Sequence, residues 1–316
     1  MKILCVGELV ADIVANPVTN IDFTIDNIGV EEISLKNGGD ALNTSVNLAK
    51  LGSDVSFIGK VGKDIFGDFL IDKAESVGVN MDHIRRSDHL PTSKVIGLIK
   101  ENGDRCFIQS AGANSEFSIH DIDLSLLDEC SILHIGGTFH LQNFDGVKGC
   151  VELLRLAREK GIITTMDVCW DHSGKWAEVI YPCFQYLNYI IPSIGEAKQI
   201  TGKDNVEEMC EYFKFAGVES VIIKMGEKGT YCSTWDGDFY CGSYKVDVND
   251  TTGAGDGFVA GFLFGIGNDL KVEECVKMGT AVSAFVIQHI GATDGSPTFS
   301  EIVSFIEKNQ LEVRYE

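Results

Sequence analysis

Short apolar runs alternate along the chain with longer stretches whose apolar positions recur at helical spacing. Residues 3–6 form such a run and predict a buried first strand, whereas 44–51 have helical spacing ending at Gly52. The rhythm continues with a strand over 55–58 and a helix over 66–76 before Gly78. Next come a strand at 132–135, a helix at 147–160 and a strand at 162–166. A strand at 189–191, helices at 196–201 and 206–215 and a strand at 221–224 follow. Fully apolar runs alternating with amphipathic segments predict βαβ units, hence an α/β fold with a mostly parallel sheet covered on both faces.

Two stretches break the alternation. Residues 15–35 alternate Ile, Phe and Val with few helix formers, and 94–99 with 105–109 read as a β-hairpin around Asn102-Gly103. Both lie in the N-terminal third and predict a small sheet projecting from the main domain. Such a sheet suits a lid over a substrate, a dimer interface, or a plain peripheral hairpin. The whole of 1–316 is expected to be one domain, with segments of about 13–36 and 92–115 inserted in it.

Composition narrows the function classes. The hydrophobic fraction is 44% against 23% charged residues, as in a folded soluble globule. Lys and Arg number 26 against 47 Asp and Glu, a formal charge of -21. That field repels nucleic acid and anionic membranes, and neither is expected as a partner. The ten cysteines form no C-x-x-C pair and have no histidine at metal-ligand spacing, so they read as small buried hydrophobes of a reducing compartment. The apolar run at the N-terminus is too short for a membrane span or a signal core, and a cytoplasmic location is expected.

The strongest chemical signal is Asp250-Thr-Thr-Gly-Ala-Gly-Asp256-Gly-Phe258. A strand-like run over 245–249 leads into it, and an apolar helix follows from about Gly257. Small residues before a helix let the amides of Gly253, Ala254 and Gly255 converge on an anion, with the helix dipole adding positive potential. Phosphoryl transfer needs such donors because negative charge spreads over the transferred oxygens. Asp256 then stands where an acceptor hydroxyl would approach, as general base. No G-x-x-x-x-G-K-[ST] and no G-x-G-x-x-G near the first strand occurs, which removes support from the two rival nucleotide folds.

With this string the chain resembles the ribokinase-like, or PfkB, carbohydrate kinases along essentially its whole length. Gly38-Gly39-Asp40-Ala-Leu-Asn43 with the segment 47–52 resembles the family's first signature. Gly59-Lys-Val-Gly62-Lys-Asp64-Ile-Phe-Gly67, Pro192-Ser-Ile-Gly-Glu196 and the string ending at Phe258 resemble three further landmarks in the family's order. The resemblance implies a three-layer ribokinase-like fold with a small β-sheet lid. It also implies ATP and Mg²⁺, and transfer of phosphate to a primary hydroxyl. By position, Asp256 would be the base and Gly253, Ala254 and Gly255 the anion hole, while Asp12, Gly38, Gly39, Asp40 and Asn43 would hold the sugar. Ser193, Lys224, Gly226, Gly229 and Thr280 would serve the nucleotide, and Glu196 would organise Mg²⁺ through water. Asp250 and Thr252 with carbonyls of Val286, His289 and Gly291 would form a monovalent cation (K⁺) site, although the His289 side chain reads equally as a helix-end histidine. The lid implies a homodimer.

The chain departs from the family pattern at several of these positions. Ser193 stands for the usual Asn, Lys224 for a Thr that meets phosphate, and Gly295 for a serine-like cation ligand. Cys169 and Asp171 occupy the Asn and Arg positions of a D-x-N-x-R element that starts at Asp167. Asp12, Asp40 and Asp171 thus load the acceptor side with carboxylates. Two like unit charges about 4 Å apart cost roughly 4 kcal/mol at an effective dielectric near 20, which favours a neutral sugar or polyol. Arg85, Arg86 or Arg105 could reach in from the lid region and reverse that preference. A nucleoside kinase with Phe107, Phe117 or Phe139 stacking on a base, a sugar-acid (ketodeoxygluconate-type) kinase and a non-catalytic sugar-binding regulator are the alternatives.

Overall fold

The computed structural model describes residues 1–19, 21–22, 24–100 and 105–316, the Arg105 side chain excepted. Its centre is a nine-stranded sheet. From one edge the strands run Asp54–Ile58, Lys2–Gly7, Ile132–Thr138, Ile163–Val168, Tyr189–Ile190 and Ser220–Lys224, all parallel. Thr230–Thr234, Gly237–Cys241 and Val313–Tyr315 complete it as antiparallel strands. Alternation along Lys2–Gly7 explains the layers. Ile3 and Cys5 join one buried cluster, with the helices Asp40–Lys50, Ala254–Gly267 and Val272–Val286. Leu4 and Val6 point the other way, into a cluster with Cys150–Glu159, Ile194–Thr201 and Val206–Phe215. The strand therefore reads as continuously apolar because both of its faces are buried.

The second sheet has four strands in the order Glu32–Gly38, Val10–Asn16, Lys94–Ile99, Arg105–Ser110. It is the small sheet expected from the irregular N-terminal third, with the hairpin pairing Ile96 to Ile108. The Asn102-Gly103 turn lies outside the described residues. Ile33, Ile96, Phe107 and Ile108 of this sheet are exposed.

Three sequence expectations are corrected. The run 245–249 forms no strand. The neighbouring edge of Gly237–Cys241 is already paired with Val313–Tyr315, so the run has no ladder to join and its Asn249 amide bonds the Ile287 carbonyl instead. The following helix starts at Ala254 rather than near Gly257, because Gly253 adopts φ 76° and caps it directly. The helix expected over 147–160 begins at Cys150, whose amide bonds the Phe144 carbonyl and breaks the turn at 146–148 from the helix. Among the described residues no helix is long and apolar enough to cross a membrane.

Candidate active site

In parallel sheets ligands gather beyond the carboxyl ends of the strands, at the point where strand order reverses. Here the chain leaves Lys2–Gly7 for one neighbour, Asp54–Ile58, and returns to its other side as Ile132–Thr138. The residues just past those ends are Glu8, His140, Cys169 and, from Ser220–Lys224, Lys224 itself. All four line one cavity of about 1050 Å³.

The helix Ala254–Gly267 closes this cavity with its N-terminus. A β-carbon at Gly253 would lie 2.5 Å from Ala292 Cα, so neither its φ nor its space admits a side chain. The Gly257 amide bonds the Gly253 carbonyl at 2.8 Å, and the turn before it presents its amides at the helix's positive end. The Ala254 amide is drawn aside to the Thr251 carbonyl at 3.3 Å.

Asp256 lies in the first turn of the same helix and accepts a hydrogen bond from Asn43 Nδ2 at 2.7 Å. Asn43 is itself fixed by Asn37, whose amide donates to its Oδ1 at 2.9 Å. Burial pushes the Asp256 carboxyl up to about 7, against the pull of the Asn43 amide, with Asp167 adding repulsion. Asp12 is also raised to about 7, by burial and then by Glu8 and Asp256. Its strand neighbour Gly38 does not line the cavity; it lacks a side chain because a β-carbon there would overlap the Asp12 carboxylate. Gly39 does line it, at φ 94°, and starts the helix Asp40–Lys50.

Asp40, Asp167 and Asp256 place one carboxylate oxygen each within 4.8 Å of one another. Lys224 answers this charge, its Nζ donating to Asp167 Oδ2 at 2.6 Å. Burial lowers the Lys224 ammonium, but Asp167 and Glu196 outweigh it and hold the group at about 12. Burial pushes Asp40 well above the usual carboxylate range, with Asp167 and Asp256 adding to it. The Lys substitution at 224 thus sits among the carboxylates, next to Gly255, where an ideal β-carbon would meet Nζ at 3.2 Å.

Ser193 and Glu196 form a capping box: Ser193 Oγ accepts the Glu196 amide at 3.3 Å and Glu196 Oε2 accepts the Ser193 amide at 2.7 Å. Serine can therefore replace Asn here and still start the helix Ile194–Thr201. Burial raises the Glu196 carboxyl, and Asp167 adds to the shift. Both face the cavity, as do Gly226, Gly229, Thr252 and Thr280, whose Oγ1 donates to the Val276 carbonyl at 2.8 Å. Carboxylate oxygens of Glu196 and Asp167 on this wall suit Mg²⁺, which prefers hard oxygen donors.

Asp250 lies behind the glycine loop. Its Oδ1 accepts from Thr252 N and Oγ1 and its Oδ2 from the Gly291 amide at 3.0 Å. The Val286 carbonyl accepts the His289 amide at 3.1 Å. The His289 ring contacts the Phe285 carbonyl at 3.2 Å, which is the helix-end reading of its side chain. A β-carbon at Gly295 would collide with that ring, which accounts for the missing serine.

Several expected acceptor-side contacts fall elsewhere. Asp171 is not a third pocket carboxylate: it accepts the Ser173 and Trp176 amides, both at 2.7 Å. Arg85 donates to the Asp121 carbonyl and Arg86 pairs with Asp68, away from the cavity. Phe117 is core, its ring tilted against Phe144, and Phe139 packs edge-on against Trp176, whereas Phe107 does line the cavity. Residues that sequence reasoning missed are Glu8 and His140. Glu8 Oε2 accepts or shares the proton of His140 Nδ1 at 3.1 Å. Burial lowers the imidazolium, but Glu8 overcomes this and holds it at about 8. Their signal was position alone, immediately after two apolar strands.

A model of the pfkB family carbohydrate kinases matches residues 1–299. A 2-dehydro-3-deoxygluconokinase of Bacillus subtilis is 27% identical over 290 residues, 88% of this chain and 90% of its own. Fructokinase-2 of Oryza sativa is 28% identical over 286 residues, 86% and 85% of the two chains. The crystal structure of a ribokinase from Thermotoga maritima superposes with a TM-score of 0.84 at 27% identity, covering 97% of this chain and 99% of its own. The fold, the order of landmarks and these likenesses agree, and the chain belongs to the pfkB family of carbohydrate kinases.

Proposed function

We propose that this enzyme transfers the γ-phosphate of ATP to a primary hydroxyl of a small neutral sugar or polyol. The observation that carries the reading is the Asp256 carboxylate, raised to about 7 at the N-terminus of the helix Ala254–Gly267 and tethered to Asn43. A base near neutrality can take the acceptor's proton while the helix amides receive the developing charge of the phosphoryl group. Asp12, Gly39, Asp40 and Asn43 border the acceptor side; Ser193, Lys224, Gly226, Gly229 and Thr280 border the nucleotide side. Glu196 and Asp167 would hold Mg²⁺ through water, and the metal would supply charge neutralisation at the phosphates. Lys224 supplies a fixed cation beside Gly255. Asp250 with Thr252 and the carbonyls of Val286, His289 and Gly291 would take K⁺ and hold the glycine loop.

Segments 13–36 and 92–115 would act as the lid, since Val95, Phe107 and Gln109 of the four-stranded sheet line the cavity. The exposed Ile33, Ile96 and Ile108 on the same sheet suit a homodimer through it, in a cytoplasmic protein. A neutral acceptor follows from the charge balance: Glu8, Asp12, Asp40 and Asp256 face it, and the His140 cation is already matched by Glu8.

A sugar acid is the second reading, favoured by the name of the Bacillus relative and by His140 and His172 on the acceptor wall. ATP consumption against pentoses, hexoses, polyols, sugar acids, sugar phosphates and nucleosides separates the two. Preference for an anionic acceptor overturns the neutral assignment, and no turnover with any member favours a sugar-binding regulator.

A further inference from the structure

The strands Lys2–Gly7, Ile132–Thr138 and Ile163–Val168 are neighbours in the sheet, and just past their carboxyl ends come Glu8, His140 and Cys169. Most of the ten cysteines are buried, as the sequence predicts, but Cys169 is half-buried and faces the large cavity with Glu8 and His140. One ligating atom from each of the three lies within 4.8 Å of the others. Glu8 spans its two partners with its two oxygens: Oε2 is 3.1 Å from His140 Nδ1 and Oε1 is 3.8 Å from Cys169 Sγ. Zn²⁺ bonds of about 2.0 Å to O or N and about 2.3 Å to S put tetrahedral neighbours roughly 3.3–3.6 Å apart. The two spacings bracket that range, so small side-chain shifts complete the geometry. The donor set selects the ion. Mg²⁺ prefers oxygen and is poorly served by sulfur and imidazole, whereas Zn²⁺ takes S, N and O together. Glu8 is 4% exposed, and Asp12, Asp40 and Asp256 line the same space, so the local field favours a divalent cation.

We propose that Glu8, His140 and Cys169 form a binding site for a zinc-class divalent ion, separate from the Glu196 and Asp167 wall, and that filling it blocks the acceptor. Three protein ligands leave a fourth position open to the cavity for water. As the Sγ–metal and Nδ1–metal bonds form, the Cys169 thiol proton and the proton between His140 Nδ1 and Glu8 pass to solvent. Cys169 Sγ also stands 3.7 Å from Asp40 Oδ2 on the acceptor wall, so an ion held there takes space that a sugar hydroxyl would need. The site follows from the three side chains alone; the blocking of the acceptor rests on the kinase reading above.

The test uses the intact protein, stripped of metal with a chelator and then given Co²⁺ or Zn²⁺ alone. We expect a single Co²⁺ per chain to give a thiolate-to-cobalt band in the near ultraviolet and the visible bands of a four-coordinate ion. Zn²⁺ should bleach both, and excess Mg²⁺ should not. The thiolate band should vanish in Cys169→Ser. Cys169→Ser and His140→Asn should each lose about ten-fold or more of Zn²⁺ affinity, since even changes beside a ligand cost that much. An oxygen-only cobalt spectrum in the parent, no binding at all, or a thiolate band that survives Cys169→Ser overturns the site. The parent spectrum decides even where a variant fails to fold. With ATP and Mg²⁺ in excess, Zn²⁺ should raise the KM of the best acceptor in the panel above several-fold and leave the KM of ATP unchanged. Zn²⁺ that binds through Cys169 without moving the acceptor KM keeps the site and overturns the blocking. If no acceptor is phosphorylated, the kinase reading falls and the spectra still decide the site.

Discussion

Asn43 donates its side-chain amide to the Asp256 carboxylate at 2.7 Å and thereby joins the first family signature to the second across 213 positions of sequence. The bond also opposes burial at Asp256: it favours the ionised form that a general base needs.

Asp256→Asn should reduce kcat by about 10²–10⁴-fold, the usual worth of a positioned base, with ATP affinity changed little. Steady-state kinetics and nucleotide titration measure the two separately. Near-parent turnover would remove Asp256 from the proton transfer.

Asn43→Ala removes a donor that holds the Asp256 carboxyl down, so the acid limb of the pH–rate profile should move to higher pH. Activity at pH 6 should fall more than activity at pH 8. A uniform loss across pH would make Asn43 a sugar contact only.

The ligand-free protein should be more stable at mildly acidic than at alkaline pH. Asp12 and Asp256 have folded values near 7, above an unfolded carboxylate at about 4. A raised carboxyl contributes stability that is full below the unfolded value and is lost as pH rises through the folded one. The Tm should therefore decline from about pH 5 to pH 8 through these two groups. Below about pH 4 the opposite class takes over: Asp64, held low by Thr92 and the Gly67 amide despite burial, then loses its contribution. A Tm series in matched buffers checks this, and a Tm rising steadily to pH 8 contradicts it.

Lys224→Met should destabilise the fold by about 3–5 kcal/mol, because it strands the buried Asp167 carboxylate among Asp40 and Asp256. Adding Asp167→Asn should recover part of the loss in urea unfolding. Additive losses in the double variant would show that the ion pair is not what stabilises this wall.

Much of this was legible in the chain order. Fully apolar runs such as 3–6 specify strands buried on both faces, and the residues after Asp250 specify a glycine-capped helix, because both are local properties of backbone and burial. Even there the tertiary structure intervened, leaving 245–249 outside the sheet because another strand holds the edge.

What the sequence determined by itself was the fold class, carried by the alternation of apolar and amphipathic segments along the chain, and the glycine-capped turn ahead of Asp256, encoded within a dozen neighbouring residues. What only the tertiary structure decided was which distant charges meet. The sequence could not reveal that Lys224 pairs with Asp167, that Asp171 caps backbone amides, or that Glu8 meets His140. The Lys224–Asp167 and Glu8–His140 pairs arise where the carboxyl ends of separate parallel strands converge, and a side chain's partners there depend on strand order rather than on spacing along the chain; Asp171 is instead taken up by amides two and five residues further on. Their electrostatics follow from burial at that junction, which sets Asp256 near neutrality.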